Sequence, residues 1–244
     1  MSAARRDIPL VMLPDSMCDH RLFAHQLKVL GPGVIVGDLT GGSSIEAMAD
    51  SILAAAPDRF ALAGLSLGGI VAAEIATRAP HRLLGVAVLD TNLALPDGDQ
   101  LERRAGWARR VRAGEFIKVV AEELVTPMTK FPDVYGALVF DMACRLGAAT
   151  FLRQNEALLH RRDRRDDLSK LAVPILVASG RDDGLCPPSL HRDLVARTPG
   201  AELVLVDDAG HLATVDQPEA LTSVLGSWLS TCAAITTNNR GRIQ

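Results

Sequence analysis

Six short segments of the chain are apolar along their whole length: Leu10 to Leu13, Val34 to Val36, Phe60 to Ala63, Leu83 to Leu89, Val173 to Ala178 and Leu203 to Val206. A run of strand length without polar alternation predicts a strand buried on both faces. Between these runs the apolar period changes. Leu22, Phe23, Gln26, Leu27 and Leu30 recur at helical spacing within Arg21 to Leu30, and Ile45 to Ala55 follows a capping box written Ser43 to Glu46. A third helix is predicted after Gly68. Near the end, Pro218 suits a first helical turn, and Ala220, Leu221, Val224, Leu225 and Trp228 form one apolar face. Strands alternating with helices predict an α/β fold with a parallel sheet of about six strands and helices on both faces.

The alternation stops after Asp90 and resumes near Val173. The stretch between reads as helical, with Arg103 to Arg112, Glu115 to Leu124 and Val134 to Leu159 as candidates. We read residues 1–95 and 169–230 as the core, 96–168 as a helical cap, and 231–244 as a polar, fraying C-terminal tail. The charged run from Arg161 to Asp167 reads as a solvated linker.

With 244 residues, one substantial core is expected. The chain is 48% apolar and 23% charged with a formal charge of −3, a balance that points away from disorder and from a nucleic-acid footprint. Residues Met1 to Asp7 lack the apolar region of a signal peptide, and no apolar run reaches membrane-spanning length. Cys18, Cys144, Cys186 and Cys232 are widely spaced and read as reduced thiols rather than a disulfide frame or zinc site. The expectation is a cytoplasmic protein without nucleic-acid or membrane partners.

The chemistry concentrates in Gly64-Leu65-Ser66-Leu67-Gly68-Gly69, between an apolar strand and a helical run. A sharp strand-to-helix turn projects the serine hydroxyl clear of the sheet, and the helix directs its first NH groups and positive dipole end to the same place. The Leu67 NH is the natural first oxyanion donor. A serine hydroxyl is a poor nucleophile at neutral pH and needs a base. His211 alone among six histidines follows a strand end and sits in a loop before a helix. A carboxylate at another strand end should hold the imidazole, and Asp182 and Asp183 both qualify. Their order, serine, aspartate, histidine, is that of one architecture among the serine-triad folds.

Together with Leu10 to Pro14, Gly37 to Gly41, Pro174 to Val177 and Gly180 to Pro187, these residues resemble the α/β-hydrolase family. The resemblance implies that Asp183, three positions after Gly180, is the acid, with Asp90 in reserve. It implies a second oxyanion donor in the loop after the first strand, at Ser16 or Met17, of which we take Ser16. Pro14-Asp15 stands where the family often has His-Gly. Two leading strands of many relatives have no counterpart here, in keeping with six strands.

The implied function is a serine hydrolase that cleaves a small-molecule carboxylic ester, thioester or lactone through a Ser66 acyl-enzyme, with no metal or organic cofactor. Trp107, Phe140 and Phe151, with Phe116 and Tyr135, are candidates for an apolar substrate wall. Arg153 and the other cap arginines read as solvated surface. The same fold also hosts C–C hydrolases, acyltransferases, lyases and non-catalytic receptors. An aspartate nucleophile, as in dehalogenase and epoxide-hydrolase relatives, is incompatible with Ser66.

Overall fold

A computed structural model describes residues 8–240. The six expected strands form one parallel sheet: β1 (Leu10–Leu13), β2 (Val34–Val36), β3 (Phe60–Leu65), β4 (Leu83–Leu89), β5 (Ile175–Gly180) and β6 (Glu202–Val206), in the order β2-β1-β3-β4-β5-β6. The central strands are buried on both faces because each side chain serves one of two cores in alternation. Leu10 and Met12 of β1, with Ala61, Ala63 and Leu65 of β3, face one core; Val11 and Leu13, with Phe60 and Leu62, face the other.

Helices α2 (Ile45–Ala55), α3 (Leu67–Arg78) and α8 (Pro188–Arg197) cover the second core. The first lies beneath α9 (Ala213–Asp216), α10 (Pro218–Arg240) and residues Leu22 and Phe23, just ahead of α1 (Ala24–Leu30). The cap of α2 is Ser44, whose Oγ accepts the Ala47 NH at 3.1 Å, and not Ser43. The helix starts at Ile45, so only the residue directly before it can reach a first-turn NH.

Between β4 and β5 lie α4 (Gly98–Arg112), α5 (Phe116–Val119), a π-turn over Val120–Leu124, α6 (Val125–Met128) and α7 (Pro132–Leu159). By length and composition alone α7 could cross a membrane, which corrects the sequence reading. Gly147 breaks it, however, at φ 79° and ψ 170°, and Val139, Met142 and Phe151 are buried in the first core.

The segment expected to fray behaves otherwise through Arg240. Residues 231–240 continue α10, and Cys232 and Ala233 are buried; a Cβ on Gly85 of β4 would lie 2.3 Å from the Cys232 sulfur, so the helix sits directly on the sheet. Residues 241–244 of that segment lie outside the described residues. The run from Arg161 to Asp167 is also more than a solvated linker: Arg164 bridges buried Glu74 at 2.5 Å and Asp167 at 3.0 Å, tying the returning chain to α3.

Candidate active site

The chain leaves β1 toward β2 and returns with β3 on β1's other side, so the loops at the carboxyl ends of β1 and β3 diverge and leave a crevice. Residues Pro14 to Met17 and Ser66 flank it. Ser66 joins β3 to α3 at φ 52° and ψ −111°, an uncommon conformation for a residue with a side chain. The turn is this tight because α3 begins against β1: a Cβ on Gly68 would fall 2.1 Å from the Leu13 carbonyl oxygen, and only glycine fits.

The acid and histidine loops are joined by backbone. The Arg181 NH donates to the Val206 carbonyl and the Asp182 NH to the Ala209 carbonyl, each at 2.9 Å. His211 Nδ1 meets Asp183 Oδ2 at 2.9 Å, and both side chains are buried. The other Asp183 oxygen accepts the Leu185 and Cys186 NH groups at 2.8 and 2.9 Å, which fixes the carboxylate's orientation. Asp182 turns outward to Lys130 at 2.7 Å. Asp90 is buried and accepts the Gly180 NH at 2.7 Å, while its second oxygen has no partner among the described residues. Burial first, then the adjacent Asp183 charge, push the Asp90 carboxyl well above its usual range. The structure thus brings Asp183, and neither rival, to the histidine.

Ser66, His211 and Ser16 line one cavity of about 870 Å³ including its mouth. Its occupant within the chain is Asp15, which sequence reasoning noted only as a departure. Asp15 Oδ1 accepts the Ser16 NH at 2.5 Å and the Leu67 NH at 3.3 Å. The two amides expected to bind an oxyanion therefore converge on a single carboxylate oxygen. Asp15 Oδ2 lies 3.4 Å from His211 Nε2. Among the described residues Ser66 Oγ makes no hydrogen bond, and the Met17 NH is taken by Gln154 Oε1 at 2.8 Å. Burial disfavours a charged imidazole, but the Asp183 charge and the hydrogen bonds that the ring donates to Asp15 and Asp183 outweigh it and hold His211 well above the ordinary histidine range.

Trp107 and Phe151 line the cavity. Phe116 packs edge-on against Phe151 at 6.2 Å between ring centroids. Phe140 and Tyr135 do not line it and are half-buried against the first core. Phe140 and Phe151 are about three turns apart and would share a face of an unbroken helix; the break at Gly147 re-aims the second half of α7. Arg103, Arg104 and Arg161 also line the cavity, contrary to the solvated-surface expectation for the cap arginines. Donor atoms of Asp183, Cys186 and His211 lie within 4.8 Å of one another. Two of them are already bonded to each other, and burial pushes the Cys186 thiol up to about 12, so it carries its proton at neutral pH and is a poor metal ligand.

Residues 19–224 match the model of the alpha/beta hydrolase family. The chain is 29% identical over 188 residues to the pimeloyl-[acyl-carrier protein] methyl ester esterase of Neisseria meningitidis serogroup A, a match covering 74% of this chain and 60% of that protein. It is 30% identical over 194 residues to the enzyme of the same name from Klebsiella pneumoniae subsp. pneumoniae, covering 76% and 75%. Among solved structures, a thermophilic esterase from Thermogutta terrifontis superposes with a TM-score of 0.83 at 25% identity, covering 93% of this chain and 90% of that one.

Proposed function

This chain belongs to the alpha/beta hydrolase family, and from that premise we propose that it hydrolyses a small-molecule carboxylic ester through an acyl-enzyme on Ser66. The observation that carries this reading is the convergence of the Ser16 and Leu67 NH groups on one oxygen position beside Ser66, with His211 bound to Asp183 in the same cavity. Both curated relatives are named as ester hydrolases, which supports the bond type.

In the proposed cycle Ser66 Oγ attacks the acyl carbon and His211 Nε2 takes the hydroxyl proton. The Ser16 and Leu67 amides hold the oxyanion, His211 returns the proton to the departing alcohol, and water then repeats the sequence on the acyl-enzyme. Asp183 keeps the proton on Nδ1, leaving Nε2 for the reaction. In the resting structure Asp15 stands where the oxyanion would form and also faces Nε2, so turnover requires its side chain to withdraw.

The test is a panel of p-nitrophenyl esters and thioesters with the parent chain and Ser66→Ala. Hydrolysis by the parent and its loss in the variant are expected. Turnover by Ser66→Ala at the parent's rate would refute the acyl-enzyme.

A further inference from the structure

Several arginines elsewhere in this molecule have acidic partners, whereas Arg82 and Arg153 donate only to uncharged oxygens. Arg164 is paired with Glu74 and Asp167, Arg21 with Asp19 and Asp141, and Arg110 with Glu115, Glu122 and Glu123. Three arginines that meet only neutral groups gather in the cavity. Arg161, only 6% exposed, donates to the carbonyls of Ala94 at 2.8 Å and Leu158 at 3.1 Å and to Gln100 Oε1 at 3.1 Å, all uncharged. Half-buried Arg104 donates to Asn155 Oδ1 at 3.3 Å, and the Arg103 and Arg104 guanidinium carbons lie 5.6 and 5.9 Å from the centroid of the Trp107 ring. Among the described residues none of these three arginines has an ion-pair partner.

The carboxylates that line the cavity are engaged elsewhere: Asp15 with two amides and His211, and Glu123 with Arg110. Guanidinium groups withdrawn from water without counter-charge are costly, and their planar forks match an oxyanion in two-point geometry. We propose that Arg103, Arg104 and Arg161 form a subsite for a carboxylate or phosphate group, so that the ester presented to Ser66 carries a second, anionic end. This deepens the ester-hydrolase reading and rests on it for the identity of the reacting bond. Trp107 holds the two cap guanidiniums from one side, and Asn155 and Gln100 orient Arg104 and Arg161 through neutral acceptors that leave their charge available. Burial first, then the nearby Arg161 charge, push the Arg104 guanidinium down to about 10, against the opposing pull of Asp15. An anion beside this guanidinium favours its charged form and opposes that shift.

The experiment is calorimetric titration of full-length Ser66→Ala, which separates binding from turnover, with monomethyl glutarate, monobutyl phosphate and neutral methyl pentanoate. At least one anionic probe is expected to bind about tenfold or more tightly than the neutral ester, as charge-assisted hydrogen bonds imply. The tighter of the two anions identifies the group. Arg104→Gln in this background should erase the preference for the anionic probes over methyl pentanoate. Arg103→Gln, at an exposed position, should reduce the preference severalfold without risk to the fold. Equal binding of anionic and neutral probes, or a preference that survives both substitutions, would overturn the subsite. Failure of the parent to hydrolyse any ester would instead sink only the reaction.

Discussion

Asp15 and His211 face each other directly, with Asp15 Oδ2 at 3.4 Å from His211 Nε2, while Asp15 Oδ1 accepts the Ser16 amide at 2.5 Å in the position proposed for an oxyanion. A carboxylate in that place competes with the transition state for its donors and with Ser66 for the imidazole. Asp15→Ala should therefore raise kcat by about tenfold or more, since a single oxyanion donor is worth on the order of a hundredfold. The acid limb of kcat/KM should move to lower pH as well. The base acts only when neutral, Asp15 helps to hold His211 protonated, and its removal lowers the pH at which the neutral imidazole appears. A variant with reduced kcat and an unmoved limb would show that Asp15 assists the reaction.

The two neighbouring acids should separate cleanly in kinetics. Asp183→Asn leaves a hydrogen-bonding group against Nδ1 but favours the wrong tautomer, and a kcat loss on the order of 10⁴ is expected. Asp182→Asn breaks only an exposed pair with Lys130 and should leave kcat within a few-fold of the parent. Comparable losses in both would mean that the acid has been misassigned.

How much of this was legible in the sequence varies with the kind of interaction. The four central strands were readable because each is buried on both faces, which leaves an apolar run with no polar interruption; the edge strands β2 and β6 keep apolar runs although they are half-exposed, so the expected two-sided burial fails there. Ser66, Leu67 and His211 were readable because local punctuation, glycines around a serine and a loop between strand and helix, sets their conformation. Asp183 and Ser16 came from the family resemblance, since nothing local separates Asp183 from Asp182. Asp15 was visible as a residue but its place was not, because its partners at Leu67 and His211 are distant in the chain. Phe140 was misjudged since Gly147 reads as one more small residue in an apolar helix. The helical course of residues 231–240 was hidden by polar composition; it depends on Cys232 and Ala233 docking on the sheet, a tertiary effect.

Gly68→Ala tests the packing that shapes the serine turn. The added methyl would lie 2.1 Å from the Leu13 carbonyl oxygen, backbone that cannot yield without moving β1. A loss of at least 1–3 kcal/mol is expected, roughly the cost of overpacking a core. Chemical denaturation gives the number, and an unchanged midpoint would contradict the geometry.

His191 makes a prediction about acid stability. It is fully buried, and its Nε2 accepts the Thr91 NH at 3.0 Å, which only the neutral ring can do. Burial pushes its pKa from 6.5 down to about 4. Between those values the unfolded chain binds the proton and the folded chain does not. This contribution is complete above pH 6.5 and is lost as pH falls toward 4, at about 1.4 kcal/mol per pH unit. Unfolding free energies of His191→Gln over that window should show a shallower slope than the parent; identical slopes would place the sensitivity elsewhere.

β4 and β5 pair directly, with Val86 beside Ile175, although the whole stretch from α4 to α7 intervenes. That excursion departs from and rejoins the sheet at one seam. The groups proposed to break the bond come from loops at strand ends, whereas Arg103, Arg104, Trp107, Phe151 and Asn155 belong to the excursion. In the proposed enzyme, reactivity and selectivity thus occupy separate stretches of polypeptide, and exchanging the second need not retune the first.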